Sequence, residues 1–292
     1  PYILMLIALT ILAIIDLVVG VSNDAVNFLN SAIGSKAISV KKILIIASLG
    51  VFLGSVTSNG MMEVARKGIF VPSEFYFNEI MYIFMAVMIT DILLLDVFNS
   101  LGMPTSTTVS IVFELLGAAV AMALIKIYTS GSGETAANLG KYINTETAIF
   151  IILGILLSVV VAFSVGAIVQ FFSRMIYSFH LESRPSFINA LFGGFAITSI
   201  TYFIIIKGLK GTPYYADVKH LIEGNIYLIL LIGFVFWSLI SQALISFFKV
   251  NVLKLIIGVG TFSLALAFAG NDLVNFIGVP IAAWNSYEAW LS

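Results

Sequence analysis

The acidic side chains Asp16, Asp24, Asp91, Asp96, Glu114 and Asp272 fall within or against long apolar runs. The segments that hold them, 1–35, 68–125 and 255–292, contain no Lys or Arg. A charged side chain at the centre of a bilayer costs roughly 2.5–3.5 kcal/mol on insertion scales. With no local base to neutralise them, these carboxylates must either take up a proton or bind a cation drawn from water. Either route makes the place that holds them ion-coupled.

Asp24 belongs to Ser22-Asn23-Asp24-Ala25-Val26-Asn27-Phe28, and Asp272 to Gly270-Asn271-Asp272-Leu273-Val274-Asn275-Phe276, so N-D-x-V-N-F occurs twice. Each Asp has Asn at −1 and +3. That set offers hard oxygen ligands of the kind sodium takes, and unwound backbone carbonyls beside it would complete a coordination shell. Asn and Asp are also favoured helix N-caps, which is the competing account of either copy alone.

A third element, Gly102-Met103-Pro104-Thr105-Ser106-Thr107-Thr108, interrupts a long apolar stretch. Proline pushes its predecessor out of the α region and suits the first turn of a new helix. Four hydroxyl residues then sit at a helix N-terminus, where free N–H groups and a partial positive charge favour an anion. Such hydroxyls also bond back to i−4 carbonyls, so the motif alone is open to a structural reading. Taken together, an anion held by helix N-termini and cations held by Asp24 and Asp272 would stabilise one another, which is the physical basis of symport. Asp16, two helical turns before Asp24, is expected to support the same cavity. For Asp91, Asp96 and Glu114, which flank the Pro104 break, function and helix-end placement both remain open.

The elements that must position these residues follow from composition. Of 292 residues, 60% are hydrophobic and 10% charged, against about 25% charged in a soluble domain. Several apolar stretches exceed the roughly 20 residues that a membrane-spanning helix needs. The pattern predicts an all-α polytopic membrane protein with helices over 2–20, 38–57, 77–101, 105–128, 145–177, 188–207, 225–248 and 252–269. The first stretch has no basic n-region and reads as a span, not a signal peptide. The segment Met61 to Phe70, with Glu63 facing Arg66 and Lys67, is expected at the membrane interface. The polar connections are too short for a sizeable soluble domain. There is no cysteine, so there are no disulfides or thiolate sites, and His180 and His220 lie in polar connections. A net charge of −1 gives no case for nucleic-acid binding.

On this helix order the spans before the two N-D-x-V-N-F copies run in opposite directions. Inverted repeats with broken or re-entrant helices are the architecture of many secondary transporters. The expected division is a first inverted repeat over 1–128, connecting and scaffold helices over 129–251, and the start of a second repeat over 252–292. The basic residues divide evenly between the two sides, so the positive-inside rule leaves orientation open.

At this point the chain resembles the inorganic phosphate transporter family, the sodium- or proton-coupled phosphate permeases. The resemblance rests on Asp16 with Gly20 and Asn23-Asp24-Ala25-Val26-Asn27, on Glu63-Val64-Ala65-Arg66-Lys67-Gly68-Ile69, on Pro104-Thr105-Ser106-Thr107-Thr108, and on Ala267-Phe268-Ala269-Gly270-Asn271-Asp272-Leu273-Val274-Asn275 with Gly278 and Pro280. It implies sodium-coupled symport of inorganic phosphate by alternating access, a homodimer, and residence in the plasma (inner) membrane of a prokaryote. No cofactor is expected beyond sodium as coupling ion. It places phosphate near Asn23, Thr105, Ser106, Thr107, Thr108 and Asn271, and sodium near Asp24, Asn27, Ser106, Asp272 and Asn275. Asp16, Gly20, Gly270 and Pro104 take supporting positions.

Two departures stand out. Val109 replaces a histidine common in the family, which favours sodium over protons. The family's second Pro-x-Ser-Thr-Thr element has no counterpart before Ser292, so the chain is expected to be incomplete by a C-terminal segment of roughly 100 residues. The alternatives are proton coupling or a sulfate-type oxyanion permease. An ion channel fits less well, because polar residues cluster at breaks. An intramembrane enzyme would have only paired aspartates to work with, so no enzyme is expected.

Overall fold

The computed structural model describes residues 2–57, 68–129, 134–177, 185–208, 219, 222 and 224–291. The expected interfacial segment around Glu63, Arg66 and Lys67, and both histidines, lie outside the described residues. Nine long helices carry the described chain: α1 (Tyr2–Ser35), α2 (Val40–Thr57), α3 (Phe77–Leu101), α4 (Thr107–Thr129), α5 (Thr145–Ile176), α6 (Ser186–Gly208), α7 (Ile226–Phe248), α8 (Val252–Asn271) and α9 (Leu273–Leu291). No strand occurs among the described residues, only an isolated antiparallel bridge between Phe70 and Ile143.

Seven helical stretches among the described residues are long and apolar enough to cross a membrane, with α8 and α9 counted as one run, Val252–Leu291. Eight spans are expected from the sequence. The difference lies in α2, which forms but is not among the seven, and whose 18 residues reach only about 27 Å at 1.5 Å per residue.

Two expectations are corrected. The first Asn-Asp copy does not lie in unwound chain, because α1 runs unbroken from Tyr2 to Ser35. No proline interrupts it, and Ser22 Oγ donates back to Val18 O at 2.8 Å, so its polar residues satisfy themselves without opening the helix. Backbone carbonyls there are committed to helical hydrogen bonds. Helix also resumes within the second copy, at Leu273: α9, with Pro280 inside it, lies beyond the last expected helix, 252–269.

The described chain forms two compact units, one of Pro1–Asn27, Gly60–Val159 and Asn271–Ser292, the other of Phe28–Asn59 and Val160–Gly270. In the first unit α1 and α3 lie side by side and parallel. Tyr2 meets Phe77 with ring centroids 4.8 Å apart, and Asn23 meets Asn99 one helix length further on. Helices α4 and α9 run antiparallel to that pair: Lys126 near the end of α4 bonds Glu79 near the start of α3 at 2.9 Å, and Trp290 stacks on Phe77 at 5.3 Å. Their shared core contains Leu9, Met81, Val87, Leu115, Ala119 and Val279. At one end Tyr2, Phe77, Tyr287 and Trp290 gather, and Lys126 sits 4.0 Å over the Tyr76 ring. Aromatic rings with a basic residue are what a membrane interface attracts.

In the second unit α2 approaches α8 through small residues. A Cβ on Gly50 would fall 2.5 Å from Phe262 O, and one on Gly54 2.3 Å from Leu266 O. This is the spacing by which membrane helices gain contact where lipid supplies no hydrophobic drive.

Candidate functional site

All the motif side chains that the structure describes as polar contacts fall within the first unit. The left-handed Gly102, φ 67°, closes α3, and its N–H donates to Asn99 O at 3.1 Å. Only a residue without Cβ takes that conformation at no cost. The chain then runs non-helical through Pro104 and re-enters helix at Thr107. Ser106 therefore precedes α4 instead of lying in its first turn. Its Oγ accepts the Val109 N–H at 3.4 Å, and its carbonyl accepts the Ser110 N–H at 3.0 Å, which is N-cap behaviour.

Asn23 pins this loop to α1. Its Nδ2 donates to Asn99 Oδ1 at 2.9 Å and to Met103 O at 3.1 Å, while its Oδ1 accepts the Thr105 N–H at 2.8 Å. Asn99 Nδ2 in turn donates to Val19 O at 3.0 Å. In this arrangement the Asn23 amide works as a brace. Asn99 was not singled out by sequence reasoning, although an Asn in the last turn of an apolar helix before Gly-x-Pro is a signal of its kind.

Asp24 is buried, 3% exposed. Asn27 Nδ2 donates to its Oδ1 at 3.1 Å. Its Oδ2 has no hydrogen-bond partner, and neither has the buried Thr107 Oγ1, which lies in electrostatic reach of that carboxylate. The Thr107 hydroxyl is the donor placed to serve this carboxylate, and both oxygens are of the kind a hard cation takes. Asp272 is close enough to repel Asp24. Thr108 Oγ1 donates to Asp272 Oδ1 at 2.9 Å and accepts from Asn275 Nδ2 at 2.9 Å. The hydroxyl-rich start of α4 thus touches both Asn-Asp copies. Of Asn271 only the backbone is described, where it closes α8.

Gly20 has a packing reason for its small size: a Cβ there would lie 2.1 Å from the ring of Phe276, which is fully buried. At Gly270 a Cβ would meet nothing. Asp16 and Asp91 are both fully buried, and Ser110 Oγ bonds Asp91 and, at 2.7 Å, Glu114. Asp96 stays exposed on the other side of α3 and joins neither group. Ser110, missed in the sequence, could have been found as a hydroxyl on the face of α4 that carries Glu114 at i+4.

The salt bridges among the described residues, Lys126–Glu79 and Lys141 with Glu74 and Glu134, lie apart from these acids. No group of three or more His, Asp or Glu side chains with metal-ligand geometry occurs among the described residues. A cation here would be held by a mixed set of one carboxylate with amide and hydroxyl oxygens, a donor set for a hard monovalent ion and not for zinc or iron.

Residues 20–291 match the profile of the phosphate transporter family. A candidate phosphate permease of Pyrococcus abyssi is 28% identical over 276 residues, covering 90% of this chain and 62% of that protein. One from Helicobacter pylori is 34% identical over 104 residues, covering 35% of this chain and 20% of its own length. The chain thus spans about three-fifths of the length of the archaeal relative, 62%. A solved structure titled "The sodium-dependent phosphate transporter" superposes with a TM-score of 0.73 at 21% identity, covering 98% of this chain and 68% of its own. That likeness is one of fold, and the seven long apolar helical stretches among the described residues make it the fold of an all-α multi-pass membrane protein.

Proposed function

Because this chain belongs to the phosphate transporter family, we propose that it carries inorganic phosphate across a membrane together with sodium, by alternating access. The observation that carries this reading is the convergence of Thr107 and Thr108 on the two Asn-Asp copies, with Asp24 Oδ2 and Thr107 Oγ1 left unpartnered between them. A phosphate oxygen would take N–H and O–H donors at the start of α4, around Ser106, Thr107 and Thr108, offset by sodium at Asp24 with Asn27 and at Asp272 with Asn275. With no arginine or lysine paired to these acids among the described residues, anion and cation each need the other.

Inverted repetition is supported by two contacts. Gly20 packs on Phe276 in one unit and Phe28 on Phe268 in the other, ring centroids 5.1 Å apart. Positions 20 and 268, and likewise 28 and 276, differ by the same 248 residues that separate Asp24 from Asp272. Each contact is therefore the counterpart of the other with the copies exchanged. The antiparallel course of α1 and α9 is what inverted copies require. The place we assign is the plasma (inner) membrane of a prokaryote, in keeping with the archaeal and bacterial relatives, and the assembly we assign is a homodimer.

Labelled phosphate uptake into proteoliposomes, with a sodium gradient, with potassium in its place, and with sulfate as competitor, tests the reading. Uptake should need sodium and ignore sulfate. Sodium-independent uptake, or none of phosphate, would overturn it.

A further inference from the structure

The acids Asp16, Asp91 and Glu114 come from three helices and meet at one buried point that the phosphate and sodium reading does not use. Asp91 is in hydrogen-bonding reach of both Asp16 and Glu114. Ser110 Oγ reaches Asp91 Oδ1 and Glu114 Oε1 at once. Asp16 provides a separate observation: it is fully buried, comes from α1 while the others lie on α3 and α4, and has its carboxyl in reach of Asp91 with no donor for either oxygen. Asp91 Oδ2 and Glu114 Oε2 are also buried without partners. No Lys, Arg or His among the described residues pairs with them.

Counting hydrogens identifies the ligand. A hydroxyl has one hydrogen, so Ser110 cannot by itself neutralise the two carboxyls it touches. A carboxyl–carboxyl contact needs a proton on one member, and the contacts of Asp91 with Asp16 and with Glu114 cannot both be served by one. We infer that Asp16, Asp91, Glu114 and Ser110 form a proton-holding site, distinct from the cation places at the Asn-Asp copies. Asp91 is the carboxylate at its centre, and Asp16 and Glu114 carry the protons. Two protons reduce the charge of the group from −3 to −1 and turn each repulsive contact into a hydrogen bond. Sodium would instead require bare carboxylates, leaving like charges in contact.

The inference stands whether or not phosphate is the substrate, and its test needs no transport. The infrared spectrum of the purified full-length protein in bilayers is recorded at neutral pH in sodium-free potassium buffer and again with saturating sodium. The expected result is a carbonyl-stretch band of protonated carboxylic acid. It weakens in Asp16→Asn and in Glu114→Gln, is unchanged in Asp96→Asn, and the part lost in the first two variants is present with and without sodium at constant pH, unlike any part from Asp24 and Asp272. Loss of the whole band on adding sodium, or its absence from the wild-type protein, would overturn the proposal. Asn and Gln copy the neutral acids in shape, so both variants should fold. Should one fail, the other with the wild-type sodium response decides the question.

Discussion

Thr108 donates its hydroxyl hydrogen to Asp272 Oδ1 at 2.9 Å across 164 residues of chain. The same oxygen accepts from Asn275 at 2.9 Å, so one hydroxyl joins the start of α4 to the second Asn-Asp copy. Replacing it with valine keeps the shape and strands both partners. Thr108→Val should destabilise the protein by about 1–3 kcal/mol, and Thr108→Ser by far less. Thermal melting of the two variants compares them; equal melting temperatures would show that the bond contributes nothing.

Asp24→Asn and Asp272→Asn remove a negative charge and keep a similar shape. Each should weaken the sodium-dependent rise in melting temperature by at least about tenfold in the concentration required, ~1.4 kcal/mol. Potassium should have no effect in either variant or in wild type. If the sodium response of both variants matched wild type, these carboxylates would not be ion ligands.

The helices were legible because bilayer-crossing segments must be long, apolar and internally hydrogen-bonded; α3, α4, α5 and α7 follow the hydropathy pattern to within a few residues. What misled was punctuation. The expected helix over 2–20 stops short of Asn23 and Asp24, yet α1 continues through both to Ser35, since polar side chains in a helix can satisfy themselves locally. The Gly102–Pro104 break was readable because φ 67° at Gly102 and the missing N–H of Pro104 are backbone constraints and not preferences. The acids were found by type and lack of basic neighbours. Their grouping was not, because Asp16 meets Asp91 only through the parallel packing of α1 on α3, which no local pattern encodes.

Gly20 tests that packing between α1 and α9. A methyl group there would overlap the Phe276 ring at 2.1 Å, and overpacking of a tight contact costs about 1–3 kcal/mol. Gly20→Ala should lower the melting temperature, and a second change, Phe276→Leu, should recover part of the loss. The double variant must therefore be more stable than the sum of the singles predicts. An additive result would place the two residues out of contact.

Ligand removal gives the most demanding test of mutual stabilisation. If sodium at Asp24 and Asp272 offsets the charge of an anion at Thr107 and Thr108, each ligand must raise the affinity of the other by the same factor, because binding free energies are linked. A coupling of about 1–3 kcal/mol, 5- to 150-fold, is the usual size of such linkage. Calorimetric titration of phosphate at several sodium concentrations gives one factor, and titration of sodium with and without phosphate gives the other. Both ligands at about 100 times their dissociation constants should each add roughly 2.7 kcal/mol of stability, while phosphate in sodium-free buffer should add far less. Phosphate affinity that ignored sodium would separate the anion from the Asn-Asp carboxylates, however close Thr108 and Asp272 lie.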